Sequence, residues 1–163
     1  MEGMTKRYKR FLLLIPIIFI IHNIEEFIGI GKVDNELSDK FSHEPRQFLV
    51  AIIILSIIVL VVFLLNYRKN NIVLNYLVIL ISTAIGINGI FHILSSIVMK
   101  EITPGTITGI VLLILYILGG MNLKKQIKID GRKMIFIGVI GIVLMLVGIV
   151  LSLSIGKIVV SLL

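Results

Sequence analysis

The sequence predicts an all-α membrane protein: a polytopic helix bundle of about five transmembrane helices in a single domain, 1–163. Hydrophobic residues make up 58% of the chain and the mean hydropathy is +1.11, which is more apolar surface than a soluble domain of this size needs. Five long apolar runs account for that surface. Their continuous Ile, Leu and Val residues exclude the alternating strands of a β-barrel. The predicted spans are 11–31, 47–66, 72–99, 106–121 and 134–155.

Composition and charge narrow the function classes. There is no Cys, so disulfides and thiolate chemistry are excluded. The net charge is +7, but the basic residues lie mostly in short segments beside apolar runs, so we expect no nucleic-acid partner. The expected partners are membrane lipid, an amphiphilic small-molecule substrate and a second copy of the chain in a homo-oligomer. Abundant Ile and Lys without Cys are typical of a bacterial protein.

The distribution of Lys and Arg predicts the orientation in the cell membrane. One side holds eleven of them, in the N-terminal segment and in the segments 67–71 and 122–133. The other side holds five, in 32–46 and at Lys100 and Lys157. The positive-inside rule therefore predicts a cytoplasmic N-terminus and an extracytoplasmic C-terminus.

The first span carries a costly polar motif, His22-Asn23-Ile24-Glu25-Glu26. At 100° per residue, His22, Glu25 and Glu26 point from one face of a helix within about one turn. An ionised acid at a bilayer centre costs about 2.5–3.5 kcal/mol on insertion scales. Two adjacent acids in one span therefore indicate a functional or structural role for them. Pro16 removes one backbone hydrogen bond and should bend the helix before the motif.

The third span carries a second polar stripe. Asn88 and His92 are four residues apart and share a helix face. At 1.5 Å per residue, His22 lies roughly 16 Å and His92 roughly 30 Å from the cytoplasmic ends of their spans. Both stripes therefore belong to the outer half of the membrane, and we expect them to form one site. Asn75 is near the cytoplasmic end of the same span and is expected at the interface.

These residue types suit a metal or acid–base chemistry. His22, Glu25, Glu26 and His92 offer the ligands that Zn²⁺, Fe²⁺ or Mn²⁺ accept. One acid could bind the ion while the other acts as general base, and without a metal the same groups could carry out acid–base catalysis. The spacing differs from the His-Glu-x-x-His of zincins, so that mechanism does not transfer. Asn88 is expected to support the site by packing or hydrogen bonding.

Three functions remain open at this point. The first is an integral-membrane, hydrolase-like enzyme acting on a lipid-like or amphiphilic substrate in the outer half of the bilayer. The second is a proton- or cation-coupled transporter that uses Glu25 and Glu26 as a relay, which the lack of internal repeats counts against. The third is a structural protein in which His92 and Asn88 bond to the acids in a polar packing knot. The loop 32–46 contains His43-Glu44, which are expected to be solvated loop residues.

The motif His22-x-x-Glu25-Glu26 on a first membrane span resembles the HXXEE family, uncharacterised multi-pass membrane proteins named for that motif. The resemblance covers roughly residues 15–110 and implies a second important His, which His92 matches. It also implies a Tyr-x-Pro-Gly motif. Here Ile102-Thr103-Pro104-Gly105 keeps the Pro-Gly and replaces the Tyr with Ile. The resemblance further implies an enzymatic role that depends on these residues.

Overall fold

The computed structural model describes residues 5–30, 45–69, 71–126 and 131–162, and within these ranges all regular structure is α-helical. Four stretches are long and apolar enough to cross a membrane: Lys6–Gly29, Pro45–Arg68, Ile72–Met99 and Ile135–Ser161; a shorter apolar stretch covers Thr106–Gly120. The prediction of a helical membrane bundle of about five helices is confirmed. The helices are α1 Lys6–Leu12, α2 Leu14–Ile30, α3 Pro45–Arg68, α4 Ile72–Met99, α5 Thr106–Gln126 and α6 Gly131–Ser161.

The first span is interrupted near Pro16, although not at Pro16 itself. α1 ends at Leu12, Leu13 forms a turn, and α2 begins at Leu14. Pro16 has no N–H to bond to the Leu12 carbonyl four residues earlier, so the helical hydrogen bonding is weakened where the interruption occurs. The helix also begins five residues before the predicted start at Phe11, because Lys6–Arg10 continue the same helical path.

α4 lies at the centre of the bundle and packs against α3, α5 and α6, while α2 packs against α3 and α5. Gly89 of α4 and Gly109 of α5 lie so close that a Cβ on Gly89 would be 2.5 Å from the Gly109 carbonyl oxygen. This is the close helix approach that small residues permit in membranes. The core is formed by Tyr8, Leu12, Ile15, Phe19, Val59, Phe63, Val78, Ile79, Ile85, Leu112 and Ile137.

The two ends of the bundle differ in their charged residues. The basic end is where the chain enters α1, leaves α3 and enters α4 and α6. Among the side chains that the structure describes, its exposed cations are Lys6, Arg7, Arg10, Arg68, Lys69, Arg132 and Lys133. The opposite end, here called the site end, is where α2 finishes, α3 begins, α4 finishes and α5 begins. It holds the polar residues of both predicted stripes.

A buried polar cluster lies just inside the basic end. The Lys9 ammonium donates to the backbone oxygens of Asn66 and Lys69, at 2.9 and 3.2 Å, and the Asn66 amide donates to Asn75 Oδ1 at 2.7 Å. Asn75 is only 2% exposed, so its amide is buried inside the bundle near its basic end. Its amide is buried because it pairs with Asn66 on the neighbouring helix, and a helical pattern of one span does not reveal that partner.

Candidate functional site

His22, Glu26 and His92 come together at the site end. His22 and Glu26 lie one turn apart on α2, and His92 approaches from α4. Glu26 Oε1 is 2.7 Å from His92 Nε2 and 3.5 Å from His22 Nε2. One ligand atom from each residue lies within 4.8 Å of the other two. The three side chains therefore converge on a volume the size of one ion.

The cluster has a closed side and an open side. The His22 side chain is fully buried, whereas those of Glu26 and His92 are each 19% exposed. The two imidazoles meet edge to face with ring centroids 4.8 Å apart, which fixes their relative orientation. Asn88, one turn before His92, places its amide nitrogen 3.0 Å from His22 Nε2. Glu26 and His92 thus keep a partly exposed surface, while His22 is enclosed by protein.

Glu25 is directed to a different place. Its Oε1 accepts the backbone N–H groups of Gly105 and Ile107, at 3.1 and 3.3 Å. Its Oε2 accepts the backbone N–H and the hydroxyl of Thr108, at 3.1 and 2.5 Å. The carboxylate therefore occupies the N-terminus of α5, where free N–H groups and the helix dipole favour an anion. The helical spacing predicts Glu25 as an ion ligand beside Glu26, but its oxygens lie outside the His22–Glu26–His92 group.

Pro104 and Gly105 cover the cluster with backbone. Gly105 has φ +83°, and a Cβ there would lie 2.8 Å from His92 Cε1 and 2.9 Å from His22 Cε1. Glycine is needed both for the left-handed backbone and for the approach to the two rings. Pro104 lies directly over Gly29 of α2, with no room for a Cβ between them. The Pro-Gly pair thus fixes the distance between the start of α5 and the rings.

Hydroxyl groups hold this turn in place. Ser96 Oγ accepts from the Thr103 backbone N–H at 3.0 Å and lies 2.6 Å from the Thr106 hydroxyl. The Thr106 hydroxyl donates to the His92 backbone oxygen at 3.3 Å. Ile102, which stands where the resemblance implies a Tyr, is 75% exposed. The turn is therefore held by threonine and serine contacts, without the side chain at position 102.

Thr108, to which the sequence pattern assigns no role, has its hydroxyl between Glu25 and His22. Its Oγ1 donates to Glu25 Oε2 and lies 2.9 Å from His22 Nδ1. The signal that could have found it is a Thr in the first turn of a helix, directly after Pro-Gly, facing a helix with an unpaired acid. His43 and Glu44 of the loop 32–46 lie outside the described residues.

The comparisons with known proteins identify the family. A family model described as "Protein of unknown function with HXXEE motif" matches residues 13–118, more than half of the chain. The chain belongs to the HXXEE family. The matched range contains every residue of the cluster and the Pro-Gly turn above it. No curated protein and no solved structure matches the chain.

The HXXEE motif acquires a physical explanation from this geometry. His22 and Glu26, four residues apart, face the cluster, and the intervening Glu25 faces the neighbouring helix N-terminus. The motif thus combines two ligand-type groups with one that binds α5 to α2. His92 completes the cluster from a distant part of the chain.

Proposed function

We propose that this protein is an integral-membrane, metal-dependent enzyme of hydrolase type, with one divalent ion held by His22 Nε2, Glu26 and His92 Nε2. The observation that carries the proposal is the convergence of these three ligand atoms within 4.8 Å. Two imidazoles and one carboxylate form the ligand set of many catalytic zinc sites and of non-haem Fe²⁺ sites. Zn²⁺, Fe²⁺ and Mn²⁺ are therefore the candidate ions.

The donor set fits such an ion. Ligand atoms about 2.0–2.1 Å from a tetrahedral metal lie roughly 3.4 Å from one another. The His22–Glu26 separation of 3.5 Å already matches this value, and the His92–Glu26 contact at 2.7 Å would open slightly. Three protein ligands leave at least one coordination position free, which distinguishes catalytic from structural zinc sites.

The chain's own residues supply binding, orientation and access. When bound, the ion supplies Lewis acidity and activates water for attack on a carbonyl or phosphoryl group. His22 provides the buried, fixed ligand, while the partly exposed Glu26 and His92 lie where a substrate enters. The Asn88 amide lies 3.0 Å from His22 Nε2, and once an ion took that nitrogen's lone pair the amide would be free to donate to a substrate oxygen.

The surroundings support an amphiphilic substrate. Large aliphatic side chains are exposed close to the cluster in sequence, among them Ile28, Ile97 and Val98, of which Val98 is 79% exposed. A polar group that reaches Glu26 would therefore carry an apolar chain along these side chains. The positive-inside rule assigns the basic end to the cytoplasm, which puts the reaction on the extracytoplasmic side.

Metal content after gentle detergent purification tests the proposal. The wild type should hold about one ion per chain, alone or after addition of Zn²⁺, Fe²⁺ or Mn²⁺. His22→Ala and His92→Ala should lose it. The control is Asn66→Leu, which should keep the ion. Asn66 is 2% exposed, so this variant also removes a buried polar group, but from the basic end. Failure of the wild type to bind any of the three ions would overturn the proposal.

One observation favours a second candidate, the polar packing knot. Among the described residues, no buried side-chain nitrogen or oxygen lacks a hydrogen-bond partner. A set of groups that satisfy one another can serve to hold α2, α4 and α5 together without chemistry. This candidate predicts that His92→Ala lowers stability and that no variant or wild type binds an ion.

A further inference from the structure

The two adjacent acids of the motif have separate tasks. We propose that Glu25 is a positioning residue: acting through the Thr108 hydroxyl, it holds His22 in the tautomer that carries its proton on Nδ1. In that tautomer Nε2 is an acceptor, 3.5 Å from Glu26 Oε1, and its lone pair accepts from the Asn88 amide in the absence of an ion. This inference rests on the proposed function for its consequence, the readiness of His22 to bind an ion. The tautomer itself follows from the hydrogen bonds alone.

The Glu25 carboxylate is held in place by donors at the start of α5. Glu25 receives four donors, three backbone N–H groups and one hydroxyl, distributed over both of its oxygens. A carboxylate in this position is an acceptor only. The backbone donors are the N–H groups of Gly105, just before α5, and of Ile107 and Thr108 in its first turn, which have no partner within the helix. The orientation of Glu25 is therefore set by the α5 backbone and does not depend on His22.

The Thr108 hydroxyl contacts both Glu25 and His22. Thr108 has one hydroxyl proton, and its donation to Glu25 Oε2 at 2.5 Å uses that proton. Towards His22 Nδ1, 2.9 Å away, the Thr108 oxygen can then only accept. His22 Nδ1 must therefore carry the hydrogen. The Gly105 carbonyl accepts the Gly109 N–H at 2.8 Å, and its second lone pair accepts from an N–H of this ring.

The other side of the His22 ring meets Asn88. In a neutral imidazole with Nδ1–H, Nε2 is an acceptor. The atom of Asn88 that meets Nε2, at 3.0 Å, is the amide nitrogen, which is a donor. The contacts on the two edges of the ring, made by different helices, thus require the same tautomer.

Glu25 and Thr108 contact His22 in the way that outer-shell residues contact a metal-binding histidine. Histidines that bind metal through one nitrogen commonly donate the other N–H to a carboxylate, a backbone carbonyl or water, which fixes the ring and its tautomer. Here the carboxylate acts through an intervening hydroxyl. Because Glu25 is held by α5, the ring of His22 is oriented by two helices together, its own and α5.

Nitrogen NMR of the metal-free protein tests the tautomer directly. Selectively ¹⁵N-histidine-labelled protein is prepared, and the His22 signals are assigned by their loss in His22→Gln. The wild type should show a protonated Nδ1 and an unprotonated Nε2. Thr108→Val keeps the shape and the backbone N–H to Glu25 but removes the hydroxyl, so a signal from the Nε2–H form should appear. Thr108→Ser should restore the wild-type pattern.

Zn²⁺ affinity provides the second readout. Loss of such a supporting partner typically costs about 10–100-fold in metal affinity, so Thr108→Val should weaken Zn²⁺ binding by that factor and Thr108→Ser should not. An unchanged tautomer and unchanged affinity in Thr108→Val would overturn the inference, as would an Nε2–H signal in the wild type. If the wild type has the Nδ1–H tautomer and Thr108→Val loses it, the positioning role holds even where no ion binds; only the proposed function then fails.

Discussion

The site end and the basic end each contain a charged side chain on the terminus of a neighbouring helix. At the site end, Glu25 of α2 lies on the N-terminus of α5; at the basic end, Lys9 of α1 lies on the C-terminus of α3. Both signs agree with the helix dipole, and both contacts join helices that are distant in sequence. Both clusters therefore stabilise the packing of one helix against the terminus of another.

The clusters differ in what remains accessible. Lys9, Asn66 and Asn75 are each at most 5% exposed, and their polar atoms meet one another or backbone carbonyls. At the site end, Glu26 and His92 are 19% exposed, and three ligand-type atoms point at one volume. Burial of a polar residue in a membrane helix is therefore weak evidence of function by itself. Convergence of ligand atoms with partial access is the stronger sign.

Glu26→Gln should have the largest effect on metal binding and should show that the site end, and not the basic end, holds the ion. The variant removes the anionic ligand, so affinity for the divalent ion should fall by more than about 100-fold, because losses in the outer shell alone cost about 10–100-fold. Isothermal titration with Zn²⁺ measures it. The matched control is Glu101→Gln, an exposed acid at the same end of the bundle, which should bind like the wild type. Equal loss in both variants would contradict a specific site.

A large effect on stability is expected from Gly105→Ala. The backbone at φ +83° and the Cβ contacts with both imidazoles should lower the free energy of unfolding by about 2–3 kcal/mol. Unfolding in mixed SDS and detergent micelles measures this change. Gly120→Ala is the control, because a Cβ there meets nothing within 4 Å and Ala favours the helix. A Gly105→Ala protein as stable as the control would show that the turn can move away from the rings.

Lys9→Met tests the basic end. The substitution keeps the apolar stem but leaves the Asn66 and Lys69 carbonyls without the ammonium donor, which should cost about 1–3 kcal/mol of stability. The same unfolding assay measures it. Metal content should stay at the wild-type value because the basic end takes no part in the site. A Lys9→Met protein that lost the ion while remaining folded would break the distinction between the two ends.

The smallest effect is expected from Ile102→Tyr, which restores the residue type of the family motif. The side chain at 102 is 75% exposed, so the change in stability should stay within about 0.5 kcal/mol. Zn²⁺ affinity should also be unchanged. A gain in affinity or in turnover would show that a Tyr at this position bends back over the cluster.

Helical spacing predicted a substantial part of this arrangement. His22 and Glu26 share a face at four residues' separation, as do Asn88 and His92, and their common place in the outer half of the membrane predicted that the two stripes meet. The helix bounds of α4 agree with the prediction at both ends. These features depend on rise and rotation along one helix, which the sequence specifies directly.

The different roles of the two acids could not be read in the same way. Adjacent residues on a helix point about 100° apart, so a face about one turn wide includes both Glu25 and Glu26. What separates them is the position of the α5 N-terminus, which depends on how three helices pack. The contacts of Thr108 and Asn75 could not be predicted for the same reason. Thr108 bonds to Glu25, and Asn75 bonds to Asn66, in each case on another helix.

The contact between Glu25 and α5 constrains the order in which the protein is assembled. The residues that bind this carboxylate follow it by 80 to 83 positions, so ribosomes synthesise the acid long before its partners. During that interval α2 holds an acid without its native donors, and on its emergence α5 has N–H groups without an acceptor. When the newly made α5 packs against α2, the Glu25 carboxylate and the N–H groups at the start of α5 pair with each other. Gly105 reaches its position over the two histidines only at that stage.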